Sequence, residues 1–324
     1  MSVYAEVING TTLGATDRKA PWMMMGTSVD VDENLTTAEM MKLAGVSGWN
    51  LRLVPSTFSG RTHLETFEVV RDNPVDGLPD VLGVVGSLYQ IFQNEQLFAF
   101  GDNLIHGGAR WEVMAPIKNG TVVFGAMKLE GTMYLGGEDE VQRHLILHTS
   151  HNGSTNLTAS IVAMRLRCSN SLNVSMKGAL RTFKIRHTQS MDGKVAEARR
   201  VLALSEVYFD KFSEEMHKLI DATVKESEVD EIFELAYAKP EKDVKGAMKR
   251  WEDKQTALWD IYNSDTLTGL RGTKYGVFNA LEERLDWGRK SRTGNEENIL
   301  AAASGFDPVL NKEKDRVLDL VRNF

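Results

Sequence analysis

The sequence predicts an α+β protein, with a mostly antiparallel β-sheet and short helices in its N-terminal part and a helical C-terminal region. Two observations support this prediction. Over the first 190 residues, short apolar runs alternate with clusters of Gly, Pro and Asn, which is typical of strands joined by turns. From about Asp192 onward, apolar residues recur at intervals of three and four, which is typical of helices with one buried face.

The N-terminal elements follow from local signals. Thr36 and Glu39 have the spacing of a capping box, which predicts a short helix that ends near Gly45. Asn94 can cap a second helix, and a third is predicted to run from Asn170 through residue 180. Apolar or alternating segments predict strands at residues 49–54, 65–71, 81–85, 110–115, 121–129, 142–148, 157–167 and 181–187.

The strand predicted at residues 157–167 has two different faces. Side chains alternate between the two sides of a strand, which places an apolar row ending at Cys168 on one side. The other side starts apolar and ends with Arg165 and Arg167. We therefore expect a sheet face that is partly open and positive at one end, together with a buried and unreactive Cys168.

The C-terminal region is predicted to hold five helices. They cover residues 192–223, 227–239, 242–262, 277–287 and 312–321. The change of pattern near residue 190 gives the predicted domain boundary. An α+β sheet domain at 1–190, which contains a basic segment at 141–191, precedes a helical region at 191–324.

Charge is distributed unevenly along the chain. The formal net charge is −7, which taken alone argues against a general nucleic-acid binder, yet residues 151–200 carry a net charge of +7. Residues 141–191, named here the acid-free segment, contain no Asp or Glu. This pattern predicts a local positive field in an otherwise acidic protein. The alternative is that these cations pair with acidic clusters of the helical region, such as those at 214–215 and 228–230.

The cations of the acid-free segment define the candidate binding site. Lysine and arginine neutralise phosphates, and an aromatic ring can stack on a base, so the two together suit a surface for single-stranded nucleic acid. The predicted phosphate contacts are Arg165, Arg167, Lys177, Arg181, Lys184 and Arg186. Phe183 is the predicted stacking residue, and Asn170 is a nearby polar donor. We predict no cofactor.

Motifs of the common enzyme classes are missing from the sequence. There is no G-x-x-x-x-G-K-[ST] phosphate loop, no G-x-G-x-x-G, no H-E-x-x-H, no G-x-S-x-G and no paired-cysteine zinc spacing. His144, His148 and His151 have a spacing that would suit metal ligands on a helix, but the local pattern favours a strand. No carboxylate lies nearby in sequence to complete a site, so we predict neither a metal site nor catalytic residues.

Several segments resemble the phage/plasmid-like protein family. They are Leu-Gly-Val-Val-Gly-Ser-Leu-Tyr-Gln-Ile-Phe-Gln-Asn at 82–94, His-Asn-Gly-Ser at 151–154, Arg-Leu-Arg-Cys-Ser-Asn-Ser-Leu at 165–172, Gly-Thr-Lys-Tyr-Gly-Val-Phe-Asn-Ala at 272–280, and shorter pieces at 22–26 and 186–188. The family has His-Asp-Gly-Ser where this chain has Asn152, and Arg-Val-Val-Cys-x-Asn-Thr-Leu at 165–172. The resemblance implies a phage, prophage or plasmid origin and a domain of unknown function. Loss of the Asp removes a possible acid or metal ligand.

Three functional hypotheses follow. The first is a phage-encoded nucleic-acid-binding protein for DNA recombination or replication, which anneals single-stranded DNA stoichiometrically as a homo-oligomer. This hypothesis rests on the charge pattern and on an analogy with phage annealing proteins, which are built from a sheet followed by helices. The second is a protein-binding structural or host-takeover factor that binds no nucleic acid. The third, and least favoured, is a metal-dependent enzyme built on the three histidines.

The sequence also suggests where the protein works. Its start, Met-Ser-Val-Tyr-Ala-Glu-Val-Ile-Asn-Gly, has neither the basic nor the apolar region of a signal peptide. A single cysteine rules out a disulfide within the chain, and no apolar stretch approaches the roughly 20 residues of a membrane span. We therefore expect the cytoplasm of the bacterial host and no membrane partner.

Overall fold

The computed structural model of the 324-residue chain describes residues 6–17, 27–29, 35–105, 108–165, 170–172, 174–177, 182–185, 194–242, 244–288 and 307–324. The strands are β1 (Val7–Ile8), β2 (Thr11–Thr12), β3 (Ala15–Asp17), β4 (Thr27–Val29), β5 (Arg52–Phe58), β6 (Arg61–Asp72), β7 (Pro79–Gly86), β8 (Arg110–Ile117), β9 (Val122–Leu135), β10 (Asp139–Ser150), β11 (Leu157–Arg165), β12 (Asn170–Ser171) and β13 (Thr182–Ile185). The helices are α1 (Thr37–Leu43), α2 (Asn94–Ile105), α3 (Lys194–Asp221), α4 (Glu226–Ala236), α5 (Ala247–Tyr262), α6 (Lys274–Trp287) and α7 (Pro308–Asn323), with a 3-10 turn at Asp265–Leu267.

The strands form two principal sheets. The larger has the order β12-β11-β10-β9-β8-β3-β4, and β13 also pairs with β11. A second sheet has the order β5-β6-β7, and β1 pairs with β2 alone. The pairs β8–β9, β3–β8, β11–β12 and β11–β13 are antiparallel, whereas β3 and β4 are parallel. The predicted α+β class, with an antiparallel sheet region followed by helices, is confirmed.

Strand β11, next to the end of the larger sheet, is covered on both faces. All nine of its residues are buried, including those whose side chains point to opposite sides of the sheet. The sequence of β11 is mostly apolar, and its two hydroxyl residues, Thr158 and Ser160, are buried as well. The expectation of a partly open, positive face is therefore wrong at Arg165, the last residue of β11, which is fully buried. Arg167 and Cys168 lie outside the described residues.

The helix predicted from Asn170 is absent where the structure describes the chain. Asn170 and Ser171 form β12, which pairs with Arg165 and Met164 of β11. Residues 172 and 174–177 are not helical. Asn and Ser readily leave helical geometry, and strand pairing here supplies the hydrogen bonds that a helix would have provided. Residues 173 and 178–180 of that prediction lie outside the described residues.

The helix boundaries agree with local capping chemistry. Thr36 and Glu39 form the predicted capping box, with Thr36 Oγ1 accepting from the Glu39 amide. Helix α6 begins at Lys274, earlier than predicted, because the Thr273 side chain caps it by accepting from the Gly276 amide. Gly276 also has to be a glycine: a Cβ there would lie 2.3 Å from the carbonyl oxygen of Leu270.

The chain divides into two compact units that alternate along the sequence. The first comprises residues 1–130, 144–161 and 182–203, and the second comprises 131–143, 162–181 and 204–324. The predicted boundary near residue 190 lies outside the described residues. Across the described helices, we find none with the length and apolar character that crossing a bilayer requires.

Candidate functional site

Arg165 is a structural residue rather than a surface cation. Its Nε and Nη2 atoms donate to both carboxylate oxygens of Asp139 at 2.7–3.0 Å, and Nη2 also donates to the carbonyl of Thr266 at 2.9 Å. The Arg165 and Asp139 side chains are 0% and 2% exposed. Because the guanidinium is buried and paired, the prediction that Arg165 contacts phosphate is corrected.

Tyr275 completes this buried group, which we name the Asp139 cluster: Asp139, Arg165 and Tyr275. The Tyr275 hydroxyl donates to Asp139 Oδ2 at 2.8 Å. Burial, reinforced by the Asp139 charge, raises the pKa of Tyr275 well above its ordinary value, so the phenol remains a donor. Both Asp139 oxygens therefore receive charged or hydroxyl donors. The cluster ties the start of β10 and the end of β11 to helix α6.

A cavity of about 280 Å³ lies beside Asp139. It is lined by Gly136, Glu138, Asp139, Thr268, Gly269 and Leu270. The Asp139 carboxylate already accepts from Arg165 and Tyr275, so its hydrogen-bonding capacity is used within the protein. We interpret the cluster as an anchor that holds this part of the second unit together.

Two lysines of the predicted set, Lys177 and Lys184, have exposed side chains. Lys184 lies on β13 opposite Thr158 and is exposed. Lys177 lies in a turn and is exposed, and Lys211 Nζ donates to its carbonyl oxygen at 2.9 Å. Within the described residues, neither Lys177 nor Lys184 takes part in an ion pair. Both lysines are therefore exposed cations, and their contact with phosphate stays a prediction.

The structure gives less about the other members of the set. Arg167, Arg181 and Arg186 lie outside the described residues. The backbone of Asn170 pairs with Arg165, and that of Phe183 pairs with Ala159.

His144 forms a buried pair with a residue that is distant in sequence. Its Nε2 atom is 2.8 Å from Glu112 Oε2, and Arg110 Nη2 is 3.6 Å from Glu112 Oε1. Burial opposes ionisation of Glu112, but the charge and hydrogen bond of His144, with Arg110 and Lys128 nearby, hold its pKa below the ordinary value. Glu112 had no local sequence signal, since it is an isolated acid inside an apolar strand.

The other two histidines have separate environments. Burial, and to a smaller extent the charge of Lys184, lowers the pKa of His148 to about 3, so this imidazole is neutral near physiological pH. His151 Nε2 lies 3.0 Å from Asn94 Oδ1, and its ring meets the Trp49 ring edge-on at 5.7 Å. No group of three or more His, Cys, Asp or Glu side chains within the described part of the chain is arranged to hold a metal ion.

Two of the segments that carry the family resemblance pack against each other in the first unit. A Cβ on Gly83 would lie 2.4 Å from Asn152 Cβ, so only glycine permits this approach. The Tyr89 hydroxyl donates to the Ser150 carbonyl at 3.0 Å. Asn152 Oδ1 accepts from the Ser154 amide at 3.0 Å, a turn contact that the Asp of the family pattern could also make.

Sequence reasoning missed Asp139 and Tyr275. Tyr275 lies in the segment at 272–280 that resembles the family, and this resemblance could have marked it as a residue of interest. Asp139 lies between Glu138 and Glu140 at the first position of β10, where a run of carboxylates ordinarily faces solvent, and nothing local marked it as buried.

Comparison with known proteins gives one family. Residues 81–304 match the model of a domain of unknown function, DUF932. This match begins within β7 and extends beyond the end of α6. Searches of curated proteins and of solved structures give no match.

Proposed function

The chain belongs to the DUF932 family of unknown function, and on that premise we propose that it is a nucleic-acid-binding protein of a bacteriophage or plasmid. It acts in DNA recombination or replication in the cytoplasm of the bacterial host. There it coats and anneals single strands stoichiometrically, without a catalytic residue. One observation carries the proposal: the acid-free segment at 141–191 presents exposed lysines in a chain whose net charge is −7.

The structure changes which residues are assigned to the surface. Arg165 is removed from it because its charge is compensated by Asp139 inside the protein. Lys177 and Lys184 remain, since both are exposed and lie outside any ion pair among the described residues. Arg167, Arg181 and Arg186 keep their assignment from the sequence. A phosphate backbone held by exposed lysines leaves the bases free to pair, which is what annealing requires.

The test is fluorescence anisotropy of a labelled single-stranded oligonucleotide, titrated with protein at several salt concentrations. We expect Lys177→Ala/Lys184→Ala to weaken binding and to reduce the slope of log K against log salt by about 0.7 for each phosphate that is no longer neutralised. The matched control is Lys42→Ala/Lys312→Ala, which removes the same charge from exposed lysines outside the acid-free segment. An equal fall in affinity in both variants would mean that only net charge matters.

A second function, a protein-binding factor without nucleic-acid binding, is favoured by an aromatic and acidic groove between α4 and α5. Absence of oligonucleotide binding by the wild type at low salt would select this function over the first.

A further inference from the structure

Strand β7 forms one edge of the β5-β6-β7 sheet in the first unit. Strand β6 pairs with one side of β7, and no described strand pairs with the other side. The backbone N–H and C=O groups along such an open side are free to pair with another strand. With 8 residues, β7 is longer than the usual strand of about 5–6 residues, so the open side is extensive.

Apolar side chains are exposed along the whole length of this edge. Val81 and Val84 of β7 are 57% and 58% exposed. Leu78, which precedes the strand, and Leu88, which follows it, are 63% and 80% exposed. Single exposed apolar residues are ordinary on a protein surface, but four that follow one edge strand indicate an interaction surface.

A β-bulge places both valines on the same face of the sheet. Val81 lies opposite Val70 of β6, and Val84 lies opposite Glu68. Val70 and Glu68 are two residues apart, so they point to the same face, and the residues opposite them point there as well. Leu82 is the extra residue that β7 inserts between these pairs. Without it, residues three apart along a strand would point to opposite faces.

The two edges of this sheet differ in how they are protected against pairing. The other edge strand, β5, has Pro55 in its middle, which has no N–H to donate to a neighbouring strand. Strand β7 has a proline only at its first position, and it contains no lysine or arginine. Its one charged residue, Asp80, accepts hydrogen bonds from Arg71 at 3.1 Å and from Asn73 at 3.0 Å in its own chain. The β7 edge therefore lacks the internal proline and the unpaired charge that block strand pairing.

The apolar pattern of this edge is symmetric about the middle of β7 at residues 82–83. Strands that pair antiparallel about a two-fold axis run in opposite directions, so the start of one lies beside the end of the other. With the axis at residues 82–83, Val81 of one copy lies opposite Val84 of the second copy. Leu78 of one copy likewise comes next to Leu88 of the second. Each exposed apolar side chain thus meets another apolar side chain.

The charge of the edge also favours a second copy as the partner. Between residues 78 and 88 the only charged side chain is Asp80, and Arg71 Nη2 of the same chain lies 3.1 Å from it. Two copies therefore bring no unpaired like charges together, whereas a strongly acidic or basic partner strand would find no opposite charge. We propose that β7 pairs antiparallel with β7 of a second copy of this chain, which joins two three-stranded sheets into one sheet of six strands.

This contact uses the same surface on both copies, so it closes as a two-fold dimer and does not extend into a chain of subunits. Backbone hydrogen bonds and the burial of apolar side chains stabilise it, so screening by salt does not weaken it. The inference goes beyond nucleic-acid binding because it requires no nucleic acid.

The test is the mass of the full chain in solution, measured by light scattering after size-exclusion chromatography without nucleic acid. We expect the wild type to reach twice its chain mass of 36.2 kDa as the protein concentration rises, at low and at high salt. Val81→Lys/Val84→Lys is expected to remain at 36.2 kDa, because each introduced lysine would lie opposite a lysine of the second copy.

The matched control is Val244→Lys/Val309→Lys, which makes the same change at two similarly exposed valines of the second unit. We expect it to dimerise as the wild type does. Thermal unfolding followed by circular dichroism shows that both variants are folded. A wild type that stays at the chain mass at every concentration overturns the proposal, as does an edge variant that dimerises like the wild type.

A mixing experiment tests the two-fold register. Val81→Glu/Val84→Glu alone is also expected to remain at the chain mass, because like charges again lie opposite each other. Mixed with the lysine variant at low salt, it places a glutamate opposite every introduced lysine, so a species of twice the chain mass is expected. Two variants that stay at the chain mass when mixed contradict this register.

Hydrogen exchange locates the contact on β7 itself. We expect amide protons of residues 79–86 to exchange more slowly as the wild type dimerises, while those of β5 keep their rates. A doubled mass without slower exchange in β7 means that the copies meet at another surface, and it overturns the proposal. None of these measurements depends on whether the protein binds nucleic acid.

Discussion

Arg165 and Asp139 form a fully buried ion pair, in which Arg165 Nε lies 2.7 Å from Asp139 Oδ2. The pair connects the end of β11 to the start of its neighbour β10, and Tyr275 joins it from helix α6. A cation that the sequence places in a positive segment thus contributes to the core. The net charge counted along a segment of this sequence therefore does not give the charge that the segment presents at the surface.

The first prediction concerns this pair. Arg165→Met leaves Asp139 buried without its counter-ion, so we expect a loss of about 3–5 kcal/mol in the free energy of unfolding, measured by urea denaturation. Lys184→Met, a change at an exposed position of the same segment, is the control and is expected to change stability by less than about 0.5 kcal/mol. Equal stability of the Arg165 variant and the wild type would contradict the assigned structural role.

The second prediction concerns a buried cluster on α6 and α7. Lys314 Nζ lies 2.6 Å from Asp286 Oδ1 and 3.0 Å from Glu282 Oε2, and all three side chains are buried. The single ammonium group compensates the charge of only one carboxylate, so the second carboxylate favours its neutral, protonated form. Burial, with Asp286 adding to it and Lys314 opposing it, raises the pKa of Glu282 from 4.5 to about 8.

The sign of the pH effect follows from proton binding. Between the unfolded pKa near 4.5 and the folded pKa near 8, the folded chain holds a proton on Glu282 that the unfolded chain releases. Stability from this group is present at low pH and is lost as pH rises through that window. We expect Glu282→Gln to flatten the decline in urea stability between pH 5 and about 8. A variant with the same decline as the wild type would show that Glu282 is not the proton-binding group.

The third prediction concerns His148 and has the opposite sign. Burial lowers its pKa from 6.5 to about 3, so the unfolded chain binds a proton that the folded chain refuses between these values. Stability is therefore complete above pH 6.5 and declines on acidification, by at most about 1.4 kcal/mol per pH unit. His148→Gln removes this titration. The free energy of unfolding of the wild type and of the variant is measured by urea denaturation at pH 7.5 and at pH 5. If both chains lose the same amount of stability between the two pH values, His148 is not a buried neutral imidazole.

The fourth prediction concerns the contact between two family-like segments. Gly83→Ala places a methyl group against Asn152, so we expect a loss of about 1–3 kcal/mol, measured by urea denaturation. Gly86→Ala, three residues along the same strand, meets nothing within 4 Å and is the matched control. We expect it to leave stability unchanged or slightly increased, because alanine restricts the unfolded chain. Similar losses in both variants would show that the space beside Gly83 is not the cause.

Much of the fold follows from local patterns in the sequence. The capping box at Thr36, the helix of α3 and the strand at β11 are all visible as spacing of polar and apolar residues. The short strand β12 is different, because Asn170 and Ser171 are extended only through pairing with β11, a tertiary contact that no local pattern encodes.

The candidate site was less predictable than the fold. Lys177 and Lys184 are exposed, as their residue type favours. Arg165 is of the same chemical kind, and its burial depends on Asp139, 26 residues earlier, and on Tyr275 in another helix. Pairing of a cation with a distant carboxylate cannot be derived from the charge distribution along one sequence.

The most direct test of the proposed function is the annealing of two complementary single strands that carry a fluorescence donor and an acceptor. We predict that the protein accelerates annealing without a nucleotide cofactor, that the rate rises until the strands are covered, and that Lys177→Ala/Lys184→Ala loses most of this effect while Lys42→Ala/Lys312→Ala keeps it. An annealing rate that the wild type does not change at any ratio of protein to DNA would contradict the account.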